Sequence, residues 1–181
     1  MTKPEDVLHF WFVEHGADDW FMGGDTFDAK CAERLGGIHA RAARAELWRW
    51  RETPHGRLAE IILLDQLSRQ LFRGRPEAFA CDKMAVSLAQ EAVYGGLDAE
   101  FDKDEKAFLY LPFEHAESLP IQEESVRLFK TLDDEEYLQF AIDHKETIER
   151  FGRFPFRNAA LGRKSTPEEV AYMNERDGKV F

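Results

Sequence analysis

Gly56-Arg-Leu-Ala-Glu-Ile-Ile-Leu-Leu-Asp65-Gln-Leu-Ser-Arg69-Gln-Leu-Phe72 is the stretch on which the fold turns. Its length and spacing predict one helix. Leu58, Ala59, Ile61 to Leu64, Leu67, Leu71 and Phe72 cover nearly its whole circumference. A helix that is apolar all round must be covered all round, so this one belongs at the centre. Asp65 and Arg69 interrupt it at i, i+4, the spacing of neighbours on a helix face. On a helical wheel they fall among Leu58, Ile61, Ile62 and Phe72. Charges placed there must be paired or must line a cavity. Two readings follow: a buried structural ion pair, or the charged floor of a pocket.

Working outward, the flanking segments also read as helices. Pro4-Glu-Asp opens the first, since proline and acids suit a first turn. Asp18 to Gly24 reads as a loop carrying aromatics. Asp25 or Thr26 starts a second helix running to about Trp50, with a break expected at Gly36-Gly37. Pro76-Glu77 opens the next, in which Ala78, Ala85, Ala89 and Ala92 allow a neighbour close approach. Another runs from Lys103 to about Leu111, with Pro112 ending or kinking it. Further starts lie at Pro120, at Asp133 or Asp134, and at Thr166-Pro-Glu-Glu, an N-cap followed by proline and acids. Gly152 to Lys164 reads as irregular. No segment sustains a period of two, so no strand is expected. The expectation is one all-α domain over residues 1–181, with about eight helices packed as antiparallel hairpins.

A net charge of −11 argues against general binding to nucleic acid or to an anionic membrane, since both need a basic face. No apolar run approaches the ~20 residues needed to span a bilayer, and the acidic start is not a signal peptide. Cys31 and Cys81 lie in apolar patterns without metal-ligand spacing and read as free thiols in a reducing compartment, so the expected location is the cytoplasm.

Four segments have compositions that core packing alone would not select. They are Leu8–Phe12 (LHFWF), Leu63–Gly74 (LLDQLSRQLFRG), Phe108–Glu117 (FLYLPFEHAE) and Phe151–Arg163 (FGRFPFRNAALGR), the last running on into Ser165-Thr-Pro-Glu-Glu. Together they resemble the bacterial domain-of-unknown-function 924 family (DUF924) over nearly the whole chain. The resemblance implies a tetratricopeptide-like, right-handed helical array, and no known activity or cofactor. The chain departs from the family pattern in places. Asp65-Gln-Leu-Ser-Arg-Gln stands where the family tends to DQFPRN. Pro112-Phe-Glu-His-Ala-Glu stands where it tends to PFMHSE, and Phe156 where it tends to histidine.

Several constellations could carry chemistry. Residues 100–149 hold 15 acids and 5 bases, whereas Arg150, Arg153, Arg157, Arg163 and Lys164 follow with no acid among them. Phe151, Phe154 and Phe156 interleave with these arginines, so guanidinium groups can stack on rings. That suits an anion site, or equally a tie to the acidic helices. His115 stands beside Glu114 and Glu117 and could serve as a general base or a metal ligand, or be a surface histidine among solvated acids. No metal motif, P-loop or nucleophile elbow is present, and Ser68 and Cys81 have no sequence-local base.

Two functions are consistent with this. The first is a binding module that grips a small anion or an acidic peptide through Arg69, Arg73, Arg153, Arg157 and Asn158. The second is an enzyme acting on a small anionic substrate, with Asp65, His115 or Glu117 as acid–base groups. In either case Arg69, His115, Glu117, Arg153, Arg157 and Asn158 are expected to meet around one cavity, because polar groups in a core seldom stand alone.

Overall fold

A computed structural model describes residues 2–176, and no strand forms among them. The helices are α1 (Pro4–His9), α2 (Ala17–Met22), α3 (Gly24–Ala43), α4 (Pro54–Ile62), α5 (Ser68–Leu71), α6 (Asp82–Tyr94), α7 (Lys103–Glu114), α8 (Leu119–Lys130), α9 (Glu135–Phe151) and α10 (Pro167–Glu175). The expected span of 1–181 runs past the described residues at both ends. Among the described residues no helix is long and apolar enough to cross a membrane.

The central helix is α4 and α5 joined by a π-helical turn, Leu63–Leu67. Every residue from 58 to 68 is buried. α1, α6 and α7 pack against α4, and α3 and α6 against the π turn. The turn matters to this burial. One extra residue rotates the side chains that follow by about 100°, so the apolar stripe changes face midway. The four alanines of the α6 region are all buried, as close approach to α4 requires. A ring cluster caps one end of the core: Phe108 meets Trp11, Phe12 and Trp20 edge-on, with centroids 4.7–5.6 Å apart.

Local signals were overridden in four places. α3 passes through Gly36-Gly37 unbroken, because Cys31, Leu35, Ile38, His39 and Ala42 hold one face to the core. It stops at Ala43 rather than near Trp50. α7 runs through Pro112 to Glu114, its last eight residues all buried. The tertiary contacts outweigh the amide lost at proline. α6 starts at Asp82, and Pro76 opens only a short 3-10 turn. Asp18–Met22, read as loop, is helical because Trp20 is buried and donates Nε1–H to the Trp11 carbonyl at 2.9 Å. Other caps are as expected: Asp134 accepts from α9 amides, and Thr166 with Glu169 forms a capping box on α10.

Leu64 is fully buried at the π turn. Leu64→Ala should cost about 2–5 kcal/mol in denaturant unfolding. A loss below about 1 kcal/mol would place this helix at the periphery of the energetics.

Candidate functional site

The π turn points Asp65 inward, and its carboxylate is 1% exposed. Both oxygens accept from His115 Nδ1, at 2.8 and 3.0 Å. Gln66 donates to Oδ2 at 2.5 Å. One turn on, Arg69 lies 3.2 Å from Oδ1 and donates to the Asp65 carbonyl at 2.8 Å. Burial alone would raise the Asp65 pKa, but the Arg69 charge and His115 outweigh it and hold the carboxyl low.

Arg69 also grips Asp82, the first residue of α6, through Nη1 at 2.9 Å and Nη2 at 3.1 Å. Asp82 takes a second, longer contact from Arg157 Nη1 at 3.3 Å, and the same nitrogen donates to the His115 carbonyl at 3.0 Å. The Arg157 guanidinium lies over two rings, 4.8 Å from the Phe79 centroid and 4.4 Å from that of Phe154. It is 4% exposed, and its Nε and Nη2 are buried with no hydrogen-bond partner among the described residues. Burial and the Arg69 charge lower its pKa to about 10, so it stays charged at neutral pH. Burial, followed by the Arg69 charge, also lowers the pKa of His115. Its ring is therefore neutral near pH 7, held by a carboxylate at one nitrogen.

Asp65, Arg69, His115 and Arg157 thus form one cluster. Glu117 and Asn158 belong to an adjoining network. Glu117 accepts from the Phe154 amide at 2.7 Å and from both Nη groups of Arg163. Asn158 donates to Ser165 and Glu169 and accepts from Arg163. Two of the sequence-predicted ligand residues are spent elsewhere: Arg153 closes a two-pronged pair on Glu169, and Arg73 one on Asp28. The local run of positive charge is mostly a tie between the irregular segment and neighbouring acids. Two surface clefts, of about 410 and 370 Å³, are lined by other residues.

Asp82 and Phe79 escaped the sequence reading, because inside a helix opened at Pro76 an acid or a core ring is ordinary; Phe154 is among the rings expected to stack on the arginines, and Arg157 does lie over it. A second buried pair also escaped that reading. Glu114 lies 3.4 Å from His144 Nδ1, which sits 2.8 Å from the Phe140 carbonyl. Ser68 does have a base in space, since His39 Nε2 lies 2.9 Å from its Oγ. The hydroxyl, however, donates to the Leu64 carbonyl at 2.6 Å, so His39 must be the donor and Ser68 is not activated. Both cysteines are free; Cys31 is buried, but Cys81 is only half-buried, at the start of α6 rather than within a helix. Burial pushes both thiols up, Cys31 to about 12.

A sequence model of a family of bacterial proteins of unknown function, DUF924, matches residues 7–177. A solved structure of a protein of unknown function from Agrobacterium tumefaciens superposes with a TM-score of 0.90 at 40% identity, over 95% of this chain and 97% of that one. No protein with a curated description matches.

Glu114 gives a prediction with a definite sign. Burial, then the Asp65 and Asp143 charges, raise its pKa from 4.5 to about 8. An acid raised in the fold favours folding fully below its unfolded pKa, and that contribution is lost as pH rises through the folded value. Glu114→Met should therefore gain stability over wild type between pH 5 and 9, by more than about 1 kcal/mol at the upper end. Parallel denaturant midpoints for the two proteins across this range would show Glu114 to be ionised throughout. Asp65 has the opposite sign and acts only in acid, where its stabilisation is lost as pH falls.

Proposed function

The chain belongs to the bacterial DUF924 family, and from the site itself we propose that it binds a small oxyanion, a carboxylate or a phosphate, on the free edge of Arg157. One observation carries this reading. Nε–H and the adjacent Nη2–H form a fork that matches two carboxylate or phosphate oxygens. In Arg51, Arg73, Arg127 and Arg153 that same edge holds a carboxylate through both nitrogens, at 2.6–2.9 Å. In Arg157 the edge is buried and empty. Two ring faces fix the plane of the guanidinium, so little side-chain freedom remains to be lost on binding.

The burial of the edge favours a small molecule over an acidic peptide, whose backbone would need an open groove. A cytosolic setting fits the two free thiols.

The test is a denaturant midpoint for wild type and Arg157→Met, titrated with inorganic phosphate or succinate at constant ionic strength. Methionine fills much of the space over the rings without the charge. Asp82 keeps its two-pronged contact with Arg69, so the substitution should be neutral or stabilising without ligand. Wild type should gain about 2.7 kcal/mol at a hundred times the dissociation constant, and the variant should lose that gain. Equal gains in both proteins would be a general salt effect and would sink the proposal, as would a variant destabilised by about 3–5 kcal/mol whose loss neither anion alters.

A further inference from the structure

We infer that this site is catalytic: His115, oriented by Asp65, acts through Nε2 as the general base that activates water against a small carboxylate-bearing ester held on Arg157. The inference rests on the oxyanion reading and adds a reaction to it.

The geometry at His115 is the ground for it. An ionised carboxylate can only accept, so with both Asp65 oxygens on Nδ1 the ring proton must sit there. The lone pair is then on Nε2, which makes no hydrogen bond among the described residues. The imidazole side chain is 12% exposed. A buried Asp fixing tautomer and ring plane is how a neutral imidazole is prepared to take a proton. Base and anion fork are also tied together, because Arg157 Nη1 donates to the carbonyl of His115 itself. The charged and titratable groups facing the imidazole are Asp65 and Arg69 from the central helix, His144 from α9, and Arg157.

Neither Ser68 nor Cys81 competes for this base. The Ser68 proton is committed to a carbonyl and the Cys81 thiol is held protonated. Water is then the nucleophile. Its oxygen adds to the acyl carbon while Nε2 takes one proton. The acyl C–O bond breaks, and the imidazolium returns that proton to the departing alkoxide. The products are a carboxylic acid and an alcohol, with no oxidant or co-reactant needed.

The probes are mono-4-nitrophenyl succinate, an anionic ester, and neutral 4-nitrophenyl acetate. Saturable hydrolysis of the anionic ester is expected. Its rate should rise with pH as His115 loses a proton, at a lower pH than free imidazole. His115→Gln should lower kcat/KM by about 100-fold or more, with phosphate stabilisation of the fold retained. Asp65→Asn should lower kcat, and Arg157→Met should abolish the preference for the anionic ester; circular dichroism melts verify that each variant is folded. No hydrolysis, or hydrolysis unchanged in His115→Gln, overturns the catalytic inference while phosphate binding stands. Equal cleavage of both esters, dependent on His115 but not inhibited by phosphate, overturns the oxyanion reading and this substrate class with it.

Discussion

Asp65 carries a negative charge into a helix that is buried on every side, and the protein must supply what water would have given it. His115 comes from the end of α7, Gln66 and Arg69 from the helix itself. Arg69 then needs a second acid to balance it, and Asp82 fixes the start of α6 against the central helix. Asp82 receives Arg157, which draws the irregular segment after α9 across the same place. One buried carboxylate thus binds together elements distant in sequence. Removing Arg69 would leave the Asp65 charge poorly paired in a dry interior, a far larger penalty than losing one surface pair.

The legible part of the fold was the part decided by burial. The apolar circumference of the Gly56–Phe72 stretch identified its place, and the caps at Pro4, Asp134 and Thr166 identified helix starts. What misled were residues whose local cost is small beside tertiary packing. Two glycines cost α3 about 2 kcal/mol in propensity, and its row of buried side chains offsets that. The site was legible to the extent that its members are charged residues in apolar surroundings. That criterion found Asp65, Arg69, His115 and Arg157. It could not separate Arg157 from Arg153, because the two differ only in what each meets in space. It could not find Asp82 at all, since an acid beside Lys83 inside a helix opened at Pro76 reads as solvated surface.

The departures from the family pattern fall around the cluster rather than within it. Ser68 stands where the family tends to proline, and its hydroxyl goes to the Leu64 carbonyl of the π turn. The wide turn that presents Asp65 thus persists with a residue that has an amide. Phe156 packs toward Tyr172, with ring centroids 6.4 Å apart. Glu114 is the departure with a consequence. It puts an ionisable group where methionine would be inert, and the Asp65 charge is among the causes that keep it protonated. The central carboxylate therefore reaches past its own partners.

Comparison with a plainly structural pair sharpens the reading of Arg157. Glu60 is fully buried, and Arg51 meets it with Nε and Nη2, both at 2.7 Å, so the two charges satisfy each other. Arg157 shares its acid with Arg69, lies close enough to be repelled by that second cation, and leaves a whole edge unused. An oxyanion on that edge, as proposed, would relieve both the repulsion and the unpartnered donors. The rest of the molecule works against that arrival. With a net charge of −11, the long-range field repels anions and slows their approach. Salt screens this distant repulsion much more than it screens contacts inside a buried site. Association of an oxyanion should therefore quicken as salt is raised toward physiological strength, while dissociation from Arg157 changes little. Such a site would select by fit at short range, with no electrostatic funnel to gather ligands indiscriminately.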